Sequence, residues 1–239
     1  MQSLRFVSSL LLVGTAVAVS ACDLPVEAGP MQSVTRSVEQ GDAQAVDVEL
    51  RMGAGELSVQ GGATTLLNAG FQFNVPEWTP TLTYQDGPRG SLRVEQPGHG
   101  ISFGDSKNIW DLKLNDSVPM ALTVRLGAGK AVMSVGTLDL SSIEVHQGVG
   151  ELQLDLRGMP KHSYTVRVHG GVGSASIRVP RSVAVAATAR NGIGDVDVRG
   201  LVRRDDDVWV NPAHEGNPTA IQLDVRGGVG KIVIIADET

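Results

Sequence analysis

The chain of 239 residues contains a single cysteine, Cys22, so no disulfide can form within it and its core must hold the fold alone. Aromatic residues make up 4% of it, too few for the stacked rings that line a sugar-binding groove. Basic residues are outnumbered, 20 Lys and Arg against 26 Asp and Glu; the formal charge of −6 argues against nucleic acid as the main partner. No segment sustains an apolar period of 3.6 residues, which disfavours helical repeats. None of the five histidines (His99, His146, His162, His169 and His214) stands in a metal motif such as H-E-x-x-H.

What the chain has is glycine, 29 residues of it, and much of it falls in one recurring pattern. Six segments repeat: Arg51 to Leu57, Arg125 to Ala131, His146 to Leu152, His169 to Ala175, Arg190 to Val196 and Arg226 to Ile232. The first glycines of the central units, Gly127, Gly148, Gly171 and Gly192, are 21, 23 and 21 residues apart. A fixed period of this size marks a stacked solenoid whose units bury their apolar faces against one another. Before each glycine pair apolar residues alternate, as in Leu122 and Val124 or Val166 and Val168, and alternation resumes after it, as in Leu152, Leu154 and Leu156. Each unit therefore reads as strand, G-x-G corner, strand. The corner glycines are Gly127 and Gly129, Gly148 and Gly150, Gly171 and Gly173, Gly192 and Gly194, and Gly228 and Gly230. The residue between them is always apolar (Ala54, Ala128, Val149, Val172, Ile193, Val229) and is expected to point inward. The reading is all-β, a parallel β-solenoid of about six G-x-G coils.

The N-terminus carries the most specific signal. Arg5 is followed by an apolar run from Phe6 to Val19 and by Val19-Ser20-Ala21-Cys22, a leader too short for a membrane span of about 20 residues. Small residues before cysteine resemble the bacterial lipobox, which makes Cys22 the lipidation site and residues 1–21 the signal peptide. Residues 22–40 read as a flexible tether, and Asp23 hints at retention on the periplasmic face of an inner membrane, with the outer membrane as the other destination. The solenoid domain then spans 41–239. Within it, 62–120 breaks the period, holds Trp78 and Trp110, and reads as an irregular cap; 201–220 reads as a projecting loop or hairpin.

The run Trp110-Asp111-Leu112-Lys113-Leu114, Val118-Pro119, Leu122 to Gly129, Leu138-Asp139-Leu140 and Gly148-Val149-Gly150 resembles the bacterial toast-rack domain family. Upstream, Gly70-Phe71-Gln72-Phe73-Asn74 and Trp78-Thr79-Pro80 agree, so that the resemblance covers about residues 38–236. It implies a right-handed β-solenoid exposed at the cell envelope, a fold also found in membrane regulators of antibiotic-stress signalling and in adhesin-like proteins. The chain departs from the regulators by carrying a lipobox in place of transmembrane helices. The family supplies no catalytic residues to transfer.

No cofactor or metal is expected. The glycine pairs lead into strands, whereas a dinucleotide fingerprint opens a helix. The acidic run Asp205, Asp206 and Asp207, with His214 and Glu215 nearby, reads as a solvated loop. The alternative function is a β-helix enzyme acting on polysaccharide, but Glu144, Asp155, Asp195, Asp197 and Asp224 vary in register instead of clustering. A non-catalytic envelope interaction or scaffolding module is the preferred reading, with roles in stress signalling or surface attachment. Its expected partners are a membrane through the lipid anchor and another envelope protein or an anionic polymer.

One further pattern is specific to this chain. Two residues before the first glycine of each unit stand Arg51, Arg125, His146, His169, Arg190 and Arg226. Alternation turns them outward, and equivalent positions on adjacent coils lie about 4.8 Å apart, so Arg125, His146, His169 and Arg190 are expected to form a ladder. Either the outward residues two positions earlier (Glu49, Thr123, Glu144, Arg167, Thr188 and Asp224) offset the repulsion, or the face binds anions such as lipid headgroups or acidic envelope polymers.

Overall fold

The computed structural model describes residues 28–98 and 105–238; the leader with Cys22, and His99, lie outside them. Six long strands carry the repeats: β2 (Ala45–Gln60), β7 (Met120–Ser134), β8 (Leu140–Asp155), β9 (Tyr164–Pro180), β10 (Val185–Arg199) and β13 (Ile221–Asp237). The shorter strands are β1 (Gln32–Val38), β3 (Leu67–Phe73), β4 (Thr81–Gln85), β5 (Arg89–Glu95), β6 (Asn108–Leu114), β11 (Val202–Asp205) and β12 (Val208–Val210). All join one open sheet. Among the described residues no α-helix occurs, and no helix is long and apolar enough to cross a membrane.

Each long strand has two arms. In β7, Met120, Leu122, Val124 and Leu126 are buried in the first arm and Ala131 and Met133 in the second. Their counterparts on the other coils join them in a single core, where a fully buried Val or Leu contributes about 1.5–3 kcal/mol. Inward residues fall on even numbers before the corner and odd numbers after it, so the alternation slips by one at Gly127-Ala128-Gly129.

That slip overturns the expectation for the residue between the glycines. Val149, Val172, Val229 and Ile193 are 53%, 51%, 44% and 69% exposed. On the convex side of a bend the apex faces solvent, and the residues flanking it, such as Leu126 and Ala131, fill the inside. The second glycine makes the bend possible: Gly150 has φ +130° and Gly173 φ +138°, a region closed to most side chains.

The long strands pair in parallel and in register. A Cβ on Gly127, Gly148, Gly171, Gly228 or Gly192 would fall on the carbonyl oxygen of the first glycine one coil below. One on Gly129, Gly150, Gly173, Gly230 or Gly194 would do the same on the second glycine below. The corners thus stack backbone on backbone in two columns. Strand order, however, is β2-β7-β8-β9-β13-β10. The last strand in sequence slots between β9 and β10, so sequence neighbours are not spatial neighbours at this end of the stack.

Both edges of the stack carry antiparallel strands. At one, β5 pairs in parallel with the first arm of β2 and β6 with its second arm, an additional coil split in two. There Gln96 replaces the glycine corner: its Oε1 accepts from the backbone N–H of Gly53 (2.9 Å) and from Asn108 Nδ2 (2.8 Å). Strand β4 pairs antiparallel with β5, and β3 with β6. The aromatic residues Phe71, Phe73, Trp78 and Trp110 are buried here, Phe71 and Trp110 edge to face at 5.3 Å. Strand β1 pairs antiparallel with β3, so residues 32–38, expected in the tether, belong to the sheet; Val34 and Val38 pack on the core. At the other edge the hairpin β11–β12 does not project but pairs along the first arm of β10.

Candidate functional site

The parallel register aligns the outward first-arm positions into one row. It runs Glu95, Arg51, Arg125, His146, His169, Arg226, Arg190. Arg125, His146 and His169 follow one another as the sequence suggests, but Arg226 separates His169 from Arg190 because β13 lies between β9 and β10. The imidazoles of His146 and His169 stack, with centroids 5.0 Å apart and planes at 16°.

A second outward row, two residues earlier, runs Arg93, Glu49, Thr123, Glu144, Arg167, Asp224, Thr188. No two acids are adjacent in it, and each reaches diagonally or along its strand to the ladder. Glu49 accepts from Arg51 Nε (2.7 Å) and Arg93 Nε (3.0 Å) and lies 3.6 Å from Arg125 Nε. Glu144 meets His146 Nε2 at 2.5 Å, and Asp224 accepts from Arg226 Nη2 at 2.9 Å. Arg190 is served from elsewhere, by Asp207 at 2.9 Å. Arg167 and His169 form no ion pair among the described residues.

The carboxylates respond to this field. Partial burial opposes ionisation of Glu49, but hydrogen bonds and the charges of Arg51 and Arg93 outweigh it and hold its pKa below the ordinary value. Glu144 is lowered chiefly by its hydrogen bond to His146, with the charges of His146, Arg125 and His169 adding to it. Both side chains are ionised at neutral pH and pin the ladder against the sheet. A guanidinium has five N–H donors, and one or two ion-pair contacts leave the others facing solvent.

Along the ladder runs an open groove of about 520 Å³, from Gln96 at one end to His169 and Gly171 at the other. Beside it, on the corner edge, Val149, Val172, Val229 and Ile193 align in register as an exposed apolar ridge. The sequence carried the ladder but hid three members of its setting. Arg93 and Glu95 sit in a strand without a G-x-G signal, and Asp207 arrives from the hairpin. Only the alternation around Leu92 and Val94 could have pointed to the first two.

Comparisons with known proteins fit this architecture. The family model described as the N-terminal domain of toast_rack, DUF2154, matches residues 27–178. The chain belongs to the toast-rack family. A crystal structure of a candidate cell-adhesion protein from Clostridium sporogenes is similar over 87% of this chain and 100% of that one, at 27% identity and a TM-score of 0.80. A candidate adhesin from Bacteroides fragilis aligns over 86% of this chain and 97% of that one, at 10% identity and a TM-score of 0.30, too low to carry any argument. No curated protein matches the chain.

Other polar features of this toast-rack chain resolve into local contacts. Asp206 is fully exposed, Glu215 pairs with Arg204 at 2.9 Å, and His214 Nε2 meets Thr219 Oγ1 at 2.9 Å. His162 lies 4.0 Å from Asp139, which also faces Lys161 at 3.4 Å. No group of three metal-ligating side chains occurs among the described residues. Under the corner, Gly170 and Gly227 leave a cavity of about 30 Å³ between Gln147 and Asn191. Gln147 Nε2 donates to the Gly129 carbonyl at 3.0 Å while its buried Oε1 has no hydrogen-bond partner among the described residues.

Proposed function

We propose that this chain is a lipid-anchored, non-catalytic interaction module of the bacterial envelope. Its leader ends at the acylated Cys22, and its domain is a right-handed solenoid of about six coils that offers the Arg51–Arg190 ladder to anionic groups. The observation that carries the reading is the ladder itself. Six cationic or protonatable side chains stand in line on a protein of net charge −6, and four of them, Arg51, Arg125, His146 and His169, border the groove. A rung spacing of about 4.8 Å repeated over six strands suits a chain or surface of repeated anions better than one small ligand. The likeness to a candidate cell-adhesion protein supports an exported, non-integral module in surface attachment. Stress signalling, the role of the family's membrane-bound regulators, is the second use the family suggests. Support for a non-catalytic role comes from the same likeness and from the scatter of carboxylates among ion pairs.

Two measurements test it. Cys22→Ser releases the protein from membranes and changes its mature mass; unchanged attachment and mass refute the anchor. Arg125→Glu with Arg226→Glu abolishes salt-sensitive binding of inorganic polyphosphate while β-rich circular dichroism stays the same. Binding that survives the double substitution, or a double variant that simply unfolds, makes the ladder a structural device.

A further inference from the structure

The ridge at the corner edge stands outside the buried core. Val149, Val172, Val229 and Ile193 project from four consecutive coils, β8, β9, β13 and β10, and every one is among the exposed large hydrophobic residues of the molecule. At a strand spacing of about 4.8 Å they form an apolar edge roughly 14 Å long. Natural strands place solvent-exposed valine and isoleucine in such an unbroken file at a cost in solubility, and such patches mark contact surfaces. Glycines flank each of these residues, so nothing beside them shields the file.

The ladder borders this edge on one side. On coils β7, β8, β9, β13 and β10 the first arms present Arg125, Arg167, Arg226 and Arg190 against Glu144 and Asp224, with His146 and His169 between them. Even with Asp207 counted against Arg190, that face is net positive on an acidic protein. On the other side of the edge the outward residues Lys130, Glu151, Ser174, Lys231 and Asp195 balance to zero. The edge is therefore amphipathic across its width: apolar apex, cationic flank, neutral flank.

We propose that this edge is a docking surface for an anionic phospholipid bilayer, with the valine and isoleucine tips entering the headgroup boundary and the ladder meeting lipid phosphates. It deepens the proposed anion-binding role of the ladder and rests on it. A bilayer satisfies both rows at once, because apolar tips gain from leaving water at a depth where phosphates are within reach of arginine. A sugar polymer would be met by a row of exposed aromatic rings; Phe71, Phe73, Trp78, Trp110 and Tyr164 are buried, and Trp209, half-buried in the hairpin near Arg190, is a single ring with the Arg203 guanidinium over it. A second copy of the chain docked edge to edge would bring two cationic ladders together, which like charges oppose. The edge lies flat on the membrane in this mode, and the stack runs parallel to the bilayer plane.

The experiment places a fluorophore on the edge of the full chain. With Val172→Cys labelled by an environment-sensitive nitrobenzoxadiazole and the protein attached to vesicles, doxyl-labelled lipids quench the probe several-fold when phosphatidylglycerol is present. They leave it unquenched in pure phosphatidylcholine. A probe at Ser134→Cys, exposed on β7 and about six residues or 20 Å past the corner residue Ala128 that aligns with Val172, stays unquenched in both. Arg125→Gln with Arg226→Gln lowers quenching at position 172 without detaching the protein. Vesicle attachment with an unquenched, hydrated ridge in anionic vesicles overturns the docking edge and leaves the Cys22 anchor standing. Quenching equal in neutral and anionic vesicles separates the ridge from the ladder and overturns their joint use. Repeating the measurement with Cys22→Ser distinguishes the two readings: ridge quenching in that background upholds docking even if the anchor fails.

Discussion

The two arms of each coil solve the same electrostatic problem in opposite ways. In the second arm the outward row runs Glu56, Lys130, Glu151, Ser174, Lys231, Asp195, so unlike charges face each other across strands; Lys130 and Glu151 lie 3.5 Å apart. In the first arm the corresponding row is basic from Arg51 to Arg190, and the acids lie outside it: two positions earlier on the strand for Arg51, His146 and Arg226, diagonally for Arg125 and in the hairpin for Arg190. A row neutralised from its neighbours has little left to offer a ligand. One neutralised from beside keeps a cationic front, which is why binding is assigned to the first arm.

The arms can differ only while the corner keeps them apart. Gly173→Ala meets two penalties, a positive φ and a Cβ placed on the Gly150 carbonyl, and is expected to cost about 3 kcal/mol or more in chemical denaturation. Gly170→Ala, three residues away, meets nothing nearer than the Arg226 carbonyl at 3.9 Å and has no positive φ. It should be neutral or stabilising by about 0.5 kcal/mol. Equal losses at the two positions would mean that the corners are not stacked backbone on backbone.

Charge reversal then separates the arms. Glu49→Lys removes the acid that serves Arg51, Arg93 and Arg125 and adds a fourth cation, for an expected loss of about 1–2 kcal/mol. Glu151→Lys in the second arm leaves a like-charged neighbour in Lys130 alone and is expected to lower the melting midpoint less. If Glu151→Lys proves the more damaging, the along-strand pairing of the first arm is unimportant.

The smallest effect concerns pH. Glu49 and Glu144 have pKa values below 4.5, their ordinary value, so each binds its proton less readily when folded than when unfolded. Their contribution is present above about pH 4.5 and is lost as pH falls through the lowered folded values. Glu49→Gln should therefore flatten the acid limb of the stability curve in that window, and by under about 1 kcal/mol because the group is partly solvated. Glu144→Gln should act in the same direction. An acid limb unchanged by either substitution would show that the ladder does not depend on these pairs.

Much of this molecule is written in its period. The strand–corner–strand unit, the inward Leu122, Val124 and Leu152 and the outward Arg125 and His146 all follow from local alternation, which one chain can display without reference to another. Alternation failed at the apex, where Val149 and Val172 face solvent, because a bend changes the phase and a pattern of two carries no record of curvature. It also missed β1 in residues 32–38, where the apolar signal is only Val34 and Val38 and the strand exists because β3 offers it an edge. Of the candidate site, the six ladder residues were legible and so were three of their four counter-ions: Glu49, Glu144 and Asp224 are close in sequence to cations they serve, whereas Asp207 reaches Arg190 from the hairpin.

By itself, then, the sequence determined an all-β chain of repeated coils with paired glycines at every corner and a basic residue at a constant distance before them. Those features depend on steric demands within a single unit. The tertiary structure decided which coil lies beside which. The units share one strand–corner–strand pattern, and β13 lies between β9 and β10 while the hairpin takes the outer edge of β10. Only the whole stack, with its hairpin covering the first arm of β10 and its split coil pairing β2, leaves Arg226 between His169 and Arg190 and so fixes the order of the ladder.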